Sequence, residues 1–263
     1  MALVDAHCHF DFPAFDQDRA SLLAAFAGKG IERLVIPGVR PGDWPRLERT
    51  AAADPRLFYC LGIHPWYADE ATAERLTELQ QRLAARSDRC VALGECGLDR
   101  LRGDLALQQP VFEAQVHLAQ ACDVPLVIHS VRTHDEVAAT LKRLNYRGRA
   151  LVHGFSGSEQ QARRLLAEGC YLGVGGIITH ARAAKTRATL AALPLDRLVL
   201  ETDAPDMAPA GVAKGENSPL NLVRVFEALC SLRREPVDRV RQALLDNVRR
   251  LYGWSTWDLV PHK

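Results

Sequence analysis

Six residues that can bind a metal ion stand where short apolar segments of the chain end. Four are histidines and two are acidic residues: His7, His9, Glu95, His129, His153 and Asp203. Imidazole nitrogens and carboxylate oxygens suit Zn²⁺, Mn²⁺ and similar divalent ions. If the fold brings these distant positions together, they form a metal site.

The pair His7 and His9 opens this set, with only Cys8 between the two imidazoles. Side chains two positions apart on a strand point to the same face, so both rings can bind one ion. Cys8 then points to the opposite face and is expected to pack in the barrel wall. In isolation such a pair is a weak signal, because a buried histidine is more often a hydrogen-bonded core residue. The metal interpretation depends on the other strand ends that carry ligand-type residues.

Eight short apolar runs position these residues, and segments of helical periodicity separate the runs. The runs are residues 2–7, 33–38, 57–63, 90–95, 125–130, 150–155, 171–176 and 197–203. Near-continuous Val, Leu and Ile runs are typical of parallel strands that are buried on both faces. We therefore predict an α/β fold, a closed (β/α)8 TIM barrel, with its active site at the carboxyl ends of the strands. The alternative is an open doubly wound sheet, but no GxGxxG follows the first run.

The segments between and after the runs predict helices, because their apolar residues recur at i, i+3, i+4 and i+7. The clearest helix predictions are residues 20–30, 73–86, 107–122, 133–144, 158–169, 221–234 and 237–253. Residues 204–219 are rich in Pro, Gly and Ala and predict a long loop on the rim of the site. We predict one domain over residues 1–263.

Composition limits the classes of partner. The chain has 33 Lys and Arg against 32 Asp and Glu, which argues against an electrostatic grip on long duplex DNA but not against a site for a strand end or a small phosphate ester. Seven scattered cysteines without a CxxC pair indicate free thiols in a reducing compartment. No signal peptide or membrane span is evident. We expect a cytoplasmic protein with no membrane partner and no obligate protein partner.

Six motifs make the chain resemble the TatD family of metal-dependent deoxyribonucleases. They are VDAHCHFD, LGIHPW, ALGECGLD, PLVIHS, LVHGFSGS and LVLETDAPD, and they span nearly the whole chain. The resemblance implies a two-metal phosphodiesterase or nuclease on a TIM barrel. It implies that one ion is bound by His7, His9, Glu95 and Asp203. It implies that the second ion is bound by Glu95, His129 and His153, with Glu95 bridging the two ions.

Glu95 also separates this chemistry from that of related enzymes. Many binuclear amidohydrolases bridge their metals with a carboxylated lysine at the end of the fourth strand. Here that strand ends in Gly94 and Glu95, so an unmodified carboxylate can serve as the bridge. The alternative is that Glu95 caps a helix or lies on the surface. Its position at the end of an apolar run argues against this alternative.

The function that follows is hydrolysis of phosphodiester bonds by a water that two divalent ions activate, as in a deoxyribonuclease acting 3′ to 5′. Two ions (Mg²⁺, Mn²⁺ or Zn²⁺) about 3.5–4 Å apart can lower the pKa of a shared water and neutralise phosphate oxygens. Asp203 is the best candidate to accept or steer the proton of that water, and a role as a metal ligand alone stays open. The same ions can hydrolyse another ester, a lactone or an amide, and a catalytically silent scaffold is a third alternative.

Three further residues are predicted to contact the substrate. His64, in GIHPW, resembles a family position near the scissile group and is expected to donate a proton or a hydrogen bond to a phosphate oxygen. The alternative is a histidine held by the turn before Pro65. Ser156 and Arg132 are predicted phosphate contacts on the rim, although Ser156 or Ser158 can instead cap the helix that follows.

Three residues around the eighth strand complete the predictions. Glu201 shares a strand face with Asp203 and either orients a ligand histidine or forms an ion pair in the barrel core. In the TatD family the loop after this strand often carries Arg-Asn, whereas this chain has Glu216 and Asn217. Asn217 is predicted as a helix N-cap, and the replacement of a cation by Glu216 argues against strong binding of single-stranded DNA.

Overall fold

Eight parallel strands form the centre of the protein in a computed structural model that describes residues 2–254. Residue 1 and residues 255–263 of the predicted domain lie outside the described residues. The strands are β1 (Leu3–Asp5), β2 (Ile31–Ile36), β3 (Leu57–Leu61), β4 (Cys90–Asp99), β5 (Leu126–Val131), β6 (Ala150–Val152), β7 (Cys170–Val174) and β8 (Leu198–Leu200). They are hydrogen-bonded in chain order from β1 to β8. Each of the eight predicted apolar runs therefore overlaps a strand.

Backbone hydrogen bonds between the first and last strands close the sheet into a barrel. The Ala6 amide donates to the Leu200 carbonyl at 2.9 Å. Beyond the strand ends, the Asp203 amide donates to the His7 carbonyl at 2.9 Å, and the His9 amide donates to the Ala204 carbonyl at 2.9 Å. The predicted (β/α)8 barrel is confirmed, and its seam passes beside three of the predicted metal ligands.

Nine α-helices of residues 2–254 surround the barrel. They are α1 (Arg19–Lys29), α2 (Trp44–Ala52), α3 (Ala73–Ala84), α4 (Leu105–Cys122), α5 (His134–Arg143), α6 (Glu159–Ala167), α7 (Ala184–Ala192), α8 (Leu222–Leu232) and α9 (Val237–Tyr252). Each of the seven helix predictions quoted above contains most or all of one helix. In the part of the chain that the structure describes, no helix is long and apolar enough to cross a membrane.

Two apolar clusters form the core of the protein, one inside the barrel and one between the barrel and the helices. The smaller cluster takes at least one side chain from each strand and fills the barrel interior. Its buried strand members are Val4, Val35, Cys60, Val91, Ala92, Val127, Leu151, Tyr171 and Val199. Leu251 and Tyr252 of α9 join this cluster, and the Tyr252 hydroxyl donates to the Ala6 carbonyl at 2.7 Å. The larger cluster packs the helices on the outer wall, where Cys8 is buried as predicted. The six predicted ligands belong to neither cluster and lie toward the carboxyl ends of their strands.

The loop after β8 contains one wrong prediction. Residues 204–218 form no helix or strand, as expected for the rim loop. However, Ser218, not Asn217, caps the turn that follows, because the Ser218 hydroxyl accepts from the Leu220 amide at 3.3 Å. The Asn217 amide nitrogen instead donates to the Thr202 carbonyl at 2.9 Å and to the Asp206 carbonyl at 2.7 Å. Asn217 therefore fastens the loop back onto the end of β8, a long-range role that the local sequence does not indicate.

Candidate metal centre

The six predicted ligands meet at the carboxyl end of the barrel. His7 and His9 follow β1, Glu95 lies within β4, His129 within β5, His153 follows β6, and Asp203 follows β8. All six are buried, with at most 8% of each residue exposed. The structure therefore brings together residues from five separate βα units around a single carboxylate, that of Glu95.

The two oxygens of Glu95 face two different groups of side chains. Glu95 Oε2 lies 3.3 Å from His7 Nε2 and 3.5 Å from His9 Nε2. Glu95 Oε1 lies 2.8 Å from His129 Nδ1 and 2.8 Å from His153 Nε2. One carboxylate is thus shared between two clusters of nitrogen donors, which is the arrangement that a bridging ligand requires.

Asp203 completes the group around Glu95 Oε2. Its Oδ1 atom lies 3.2 Å from His7 Nε2 and 3.4 Å from His9 Nε2. The backbone of Asp203 has a positive φ of 53°, in the left-handed region that few residues other than glycine, asparagine and aspartate adopt. This turn immediately after β8 directs the carboxylate toward the strand ends instead of continuing the strand.

Unpaired buried atoms indicate that the cluster is built for cations. His7 Nε2, Glu95 Oε2 and Asp203 Oδ1 are buried and have no hydrogen-bond partner among residues 2–254. A buried polar atom without a partner costs about 1–3 kcal/mol, so three of them within 3.3 Å of a neighbour would be strongly unfavourable. A cation placed among these atoms would satisfy them. The donor set therefore fits divalent metal ions.

The backbone of β4 aims Glu95 inward. The pairing with β5 shifts register between Gly94 and Cys96, so Glu95 stands out of the ladder. The Glu95 amide instead donates to the Gly38 carbonyl at 2.7 Å. Two residues on, a Cβ on Gly97 would lie 2.1 Å from the His129 carbonyl oxygen, and Gly97 has a φ of 136°. Only glycine allows β4 and β5 to approach so closely here.

Burial and mutual charge set the ionisation of the site. Burial alone would raise the pKa of Glu95, but the charges of surrounding histidines hold it well below its usual range. Burial also opposes ionisation of Asp203, and the nearby imidazoles of His7 and His9 nevertheless keep its pKa below the usual range. Burial and the charge of His7 lower the pKa of His153 to about 4. Both carboxylates are therefore anionic, and His153 is neutral. Burial would lower the pKa values of His7 and His129, but nearby carboxylates raise the pKa of His7 above its usual range and that of His129 to about 9, so these two rings must lose a proton when they bind a metal ion.

Asp99, at the end of β4, belongs to the site and was not predicted. Its Oδ2 atom accepts from His129 Nε2 at 3.0 Å and from the Trp66 indole Nε1 at 2.7 Å. Burial would raise the pKa of Asp99, but these two hydrogen bonds lower it to about 2. The carboxylate holds His129 with Nδ1 turned toward Glu95. The available signal was strand periodicity, since residues 95 and 99 of one strand share a face.

We expect Asp99→Asn to weaken metal binding by about 10- to 100-fold, because a carboxylate behind a ligand imidazole fixes its orientation and raises its basicity. The measurement is competition between the protein and a chromophoric chelator for Mn²⁺ or Zn²⁺. Asp123→Asn is the matched control, because Asp123 ends α4 at the opposite end of the barrel and asparagine tolerates its φ of 49°. Equal metal affinity of Asp99→Asn and the unsubstituted protein would contradict the orienting role.

A cavity of about 230 Å³ opens above the ligands. His64, a predicted substrate contact, lines this cavity. Four residues that were not predicted line it as well: Phe12, Trp66, Tyr67 and Asp206. The Trp66 amide donates to His64 Nδ1 at 3.1 Å, so the neutral ring carries its proton on Nε2. That Nε2 atom lies 3.3 Å from Glu95 Oε1 and points into the site.

The other predicted substrate contacts do not line this cavity. Ser156 and Arg132 are exposed and are not among the residues that line it. Ser158, not Ser156, caps α6, and its capping box with Gln161 matches the alternative interpretation of that segment. The predicted roles of Ser156 and Arg132 in binding phosphate stay predictions.

Glu201 lies directly behind the ligands. It is fully buried and accepts a hydrogen bond from the Gly154 amide, next to His153. A Cβ on Gly173 would lie 2.2 Å from Glu201 Oε2, so glycine makes the space for this carboxyl. Burial raises its pKa to about 8. Within residues 2–254 it has no Lys or Arg in ion-pair contact, which favours a positioning role over a core ion pair.

Comparison with known proteins agrees with this geometry. A family model described as TatD related DNase matches residues 4–253. An uncharacterized metal-dependent hydrolase, YjjV of Escherichia coli K12, is 43% identical over 95% of this chain and 97% of its own length. A 3′-5′ ssDNA/RNA exonuclease TatD of Pantoea ananatis is 31% identical over 91% of this chain and 95% of its own length. The crystal structure of the E. coli K12 TatD homologue YjjV superposes with a TM-score of 0.91, at 44% identity over 95% of this chain and 98% of that one.

Proposed function

Because the chain belongs to the family of TatD-related DNases and is a metal-dependent hydrolase, we propose that the bond it hydrolyses is a phosphodiester. The proposed substrate is the end of a DNA strand or a small phosphate ester, and the proposed direction along a strand is 3′ to 5′. The direction is that named for the P. ananatis relative. The main observation behind the proposal is that the two oxygens of the Glu95 carboxylate face two different groups of donor atoms.

The proposed cofactors are two divalent ions per chain, namely Mg²⁺, Mn²⁺ or Zn²⁺. The residues that would hold the first ion are His7, His9, Glu95 and Asp203. The residues that would hold the second ion are Glu95, His129 and His153. When bound, such ions lower the pKa of water and neutralise charge on phosphate oxygens.

His64 is proposed to donate a hydrogen bond to a phosphate oxygen. Burial lowers its pKa, and the charge of Glu95 only partly offsets this effect, so the ring is neutral near pH 7. With Nδ1 already accepting from the Trp66 amide, the Nε2 proton is available to the cavity. A neutral donor can bind the substrate phosphate without adding a further positive charge to a site that would hold two cations.

Asp203 is proposed to act mainly as a ligand and as a hydrogen-bond acceptor that orients water. Its low pKa makes it a poor store for a proton near pH 7, because an efficient general base has a pKa close to the working pH. Its position between His7 and His9 supports the ligand role. This ranks the two roles that the sequence leaves open for Asp203.

A degradation assay tests the proposal. Chelator-treated protein, with Mg²⁺, Mn²⁺ or Zn²⁺ restored one at a time, is offered a single-stranded oligonucleotide labelled at its 5′ end. We expect a metal-dependent ladder of products that shorten from the 3′ end, and a blocked 3′ terminus should prevent it. Excess chelator should abolish the activity.

The same preparation is offered an aryl ester, a lactone and an amide as the competing class of substrates. Turnover of one of these compounds without any release of nucleotides would overturn the phosphodiesterase proposal while leaving the metal-dependent hydrolase. Absence of a stoichiometric metal ion, together with no turnover of any substrate, would favour the scaffold alternative.

A further inference from the structure

An exposed tryptophan stands at the edge of the metal centre. Trp66 is 41% exposed, whereas large apolar side chains of this barrel are mostly buried. Its ring centroid lies 4.8 Å from that of His64 and 6.2 Å from that of His129, so the indole adjoins the ligand cluster directly. The indole also lines the cavity above the predicted ligands, so a substrate in that cavity would contact it.

The orientation of this indole is fixed by the site itself. Trp66 Nε1 donates to Asp99 Oδ2 at 2.7 Å, and the same carboxylate oxygen accepts from His129 Nε2 at 3.0 Å. Asp99 Oδ1 also accepts from the Leu101 amide at 2.8 Å, which ties the following loop to the same anchor. The hydrogen bond to Asp99 thus holds the indole in one position relative to the predicted ligands.

A guanidinium group lies on the indole. The Arg102 Cζ atom is 3.9 Å from the centroid of the Trp66 ring, within the range of a cation–π contact. No carboxylate of residues 2–254 lies in ion-pair contact with this guanidinium, unlike Arg100 nearby, which pairs with Glu136. An aromatic surface and an unneutralised cation therefore stand together beside the cavity that holds the proposed metal ligands.

We propose that Trp66 and Arg102 form a nucleotide subsite, in which a base of single-stranded nucleic acid stacks on the exposed part of the indole that Arg102 does not cover and a phosphate of the same strand contacts the guanidinium. The pairing of an aromatic surface with a cation is how sequence-tolerant sites hold single strands. Base stacking supplies affinity, and the anchored indole sets the distance between the stacked base and the phosphate at the ligand cluster. This inference rests on the proposed function, because it assumes a nucleic-acid substrate.

The proposal also explains how a nearly neutral chain can hold a nucleic acid. A net charge of +1 gives little general attraction for phosphate, and Glu216 places an acid on the loop after β8. A local subsite of one indole and one guanidinium needs no extended basic surface. It would favour a short single-stranded end over a duplex, whose bases are not free to stack on a side chain.

Binding by the metal-free protein provides the test. Fluorescence anisotropy measures the affinity for a labelled oligothymidylate of about ten nucleotides, within the range of site sizes of such proteins. Trp66→Leu should weaken binding by about fivefold or more, the lower limit for one stacked base, whereas Trp66→Phe should retain most of the affinity. Arg102→Ala should reduce the slope of log K against log salt by about 0.7, the value for one phosphate contact on a single strand.

Matched variants and a modified probe isolate stacking from other effects. Leu107→Ala removes an exposed apolar side chain from α4, and Arg147→Ala removes an exposed arginine from the loop before β6, at the opposite end of the barrel. Both should bind as the unsubstituted protein does.

An oligonucleotide whose two terminal 3′ nucleotides lack bases should bind Trp66→Leu and the unsubstituted protein equally. Metal affinity is measured in parallel, because Trp66→Phe and Trp66→Leu both remove the hydrogen bond to Asp99.

The outcomes separate this subsite from the proposed function. Cleavage of oligonucleotides by a protein whose binding is unchanged in Trp66→Leu and Arg102→Ala would overturn the subsite and leave the function standing. Oligonucleotide binding that depends on Trp66 without any cleavage would support the subsite and overturn the function. Equal losses in Trp66→Phe and Trp66→Leu that follow metal affinity would show that the indole acts only through Asp99, and would also overturn the subsite.

Discussion

Glu95→Gln is expected to abolish hydrolysis and to lower the content of both metal ions together. The substitution preserves the size of the side chain but replaces an anion with a neutral amide that offers only one oxygen. Both donor groups would lose a shared ligand, because Glu95 Oε1 and Oε2 face different histidines. We expect kcat/KM to fall by about 10³-fold or more, since bound ions contribute several kcal/mol of transition-state stabilisation.

Elemental analysis of the purified variant and steady-state kinetics check this prediction. Glu159→Gln is the control, because Glu159 forms only an exposed i,i+4 ion pair with Arg163 on α6, and such pairs contribute little to stability. Loss of one ion with the other retained would show that Glu95 serves a single metal. A variant with two ions and full activity would refute the bridging arrangement.

Asp203→Asn should separate the two ion sites. The Asp203 carboxylate lies 3.2 Å from His7 and 3.4 Å from His9. His153 is also near it, but the proposed ion held by Glu95, His129 and His153 should remain because its three ligands are unchanged. We expect activity to fall by about 10²- to 10⁴-fold, the range for a positioned group that handles a proton or orients water. Metal content should decrease from two ions per chain toward one.

Metal stoichiometry distinguishes the two roles of Asp203. Unchanged stoichiometry with a large loss of activity would assign Asp203 to proton transfer, whereas loss of one ion supports the ligand role. Asp196→Asn is the control, because Asp196 is exposed before β8, at the opposite end of the same βα unit. Retention of both ions and of full activity would exclude Asp203 from the site.

The sequence predicts most of this centre because barrel topology is a strong constraint. Once eight apolar runs are interpreted as parallel strands of one barrel, every ligand-type residue at a strand end must face the same mouth. His129 and Glu95 needed no pairwise information, since each is placed by its own strand. The strand-end argument also explains why the two histidines of the first run outweigh their weak individual signal.

The residues that the sequence did not predict depend on long-range register. The apolar run of the fourth strand stops at Glu95, but β4 continues to Asp99 because its backbone pairs with β5 as far as Val131. Nothing local marks Asp99 as the partner of His129, and nothing marks Trp66 as exposed, since tryptophan is more often buried. Asn217 was assigned a helix cap for the same reason, because its actual partners, such as the Thr202 carbonyl, lie well away along the chain.

The closure of the barrel beside its ligands has a consequence for the newly made chain. The hydrogen bonds that join His7 to Asp203 and His9 to Ala204 link the first βα unit to the last, and the neighbouring contact from Cys8 to Ala204 spans 196 positions. During synthesis on the ribosome, the histidines emerge early but lack their final carboxylate until nearly the whole polypeptide has been released. The proposed metal centre is therefore completed late, because a prematurely terminated product that ends before β8 lacks Asp203.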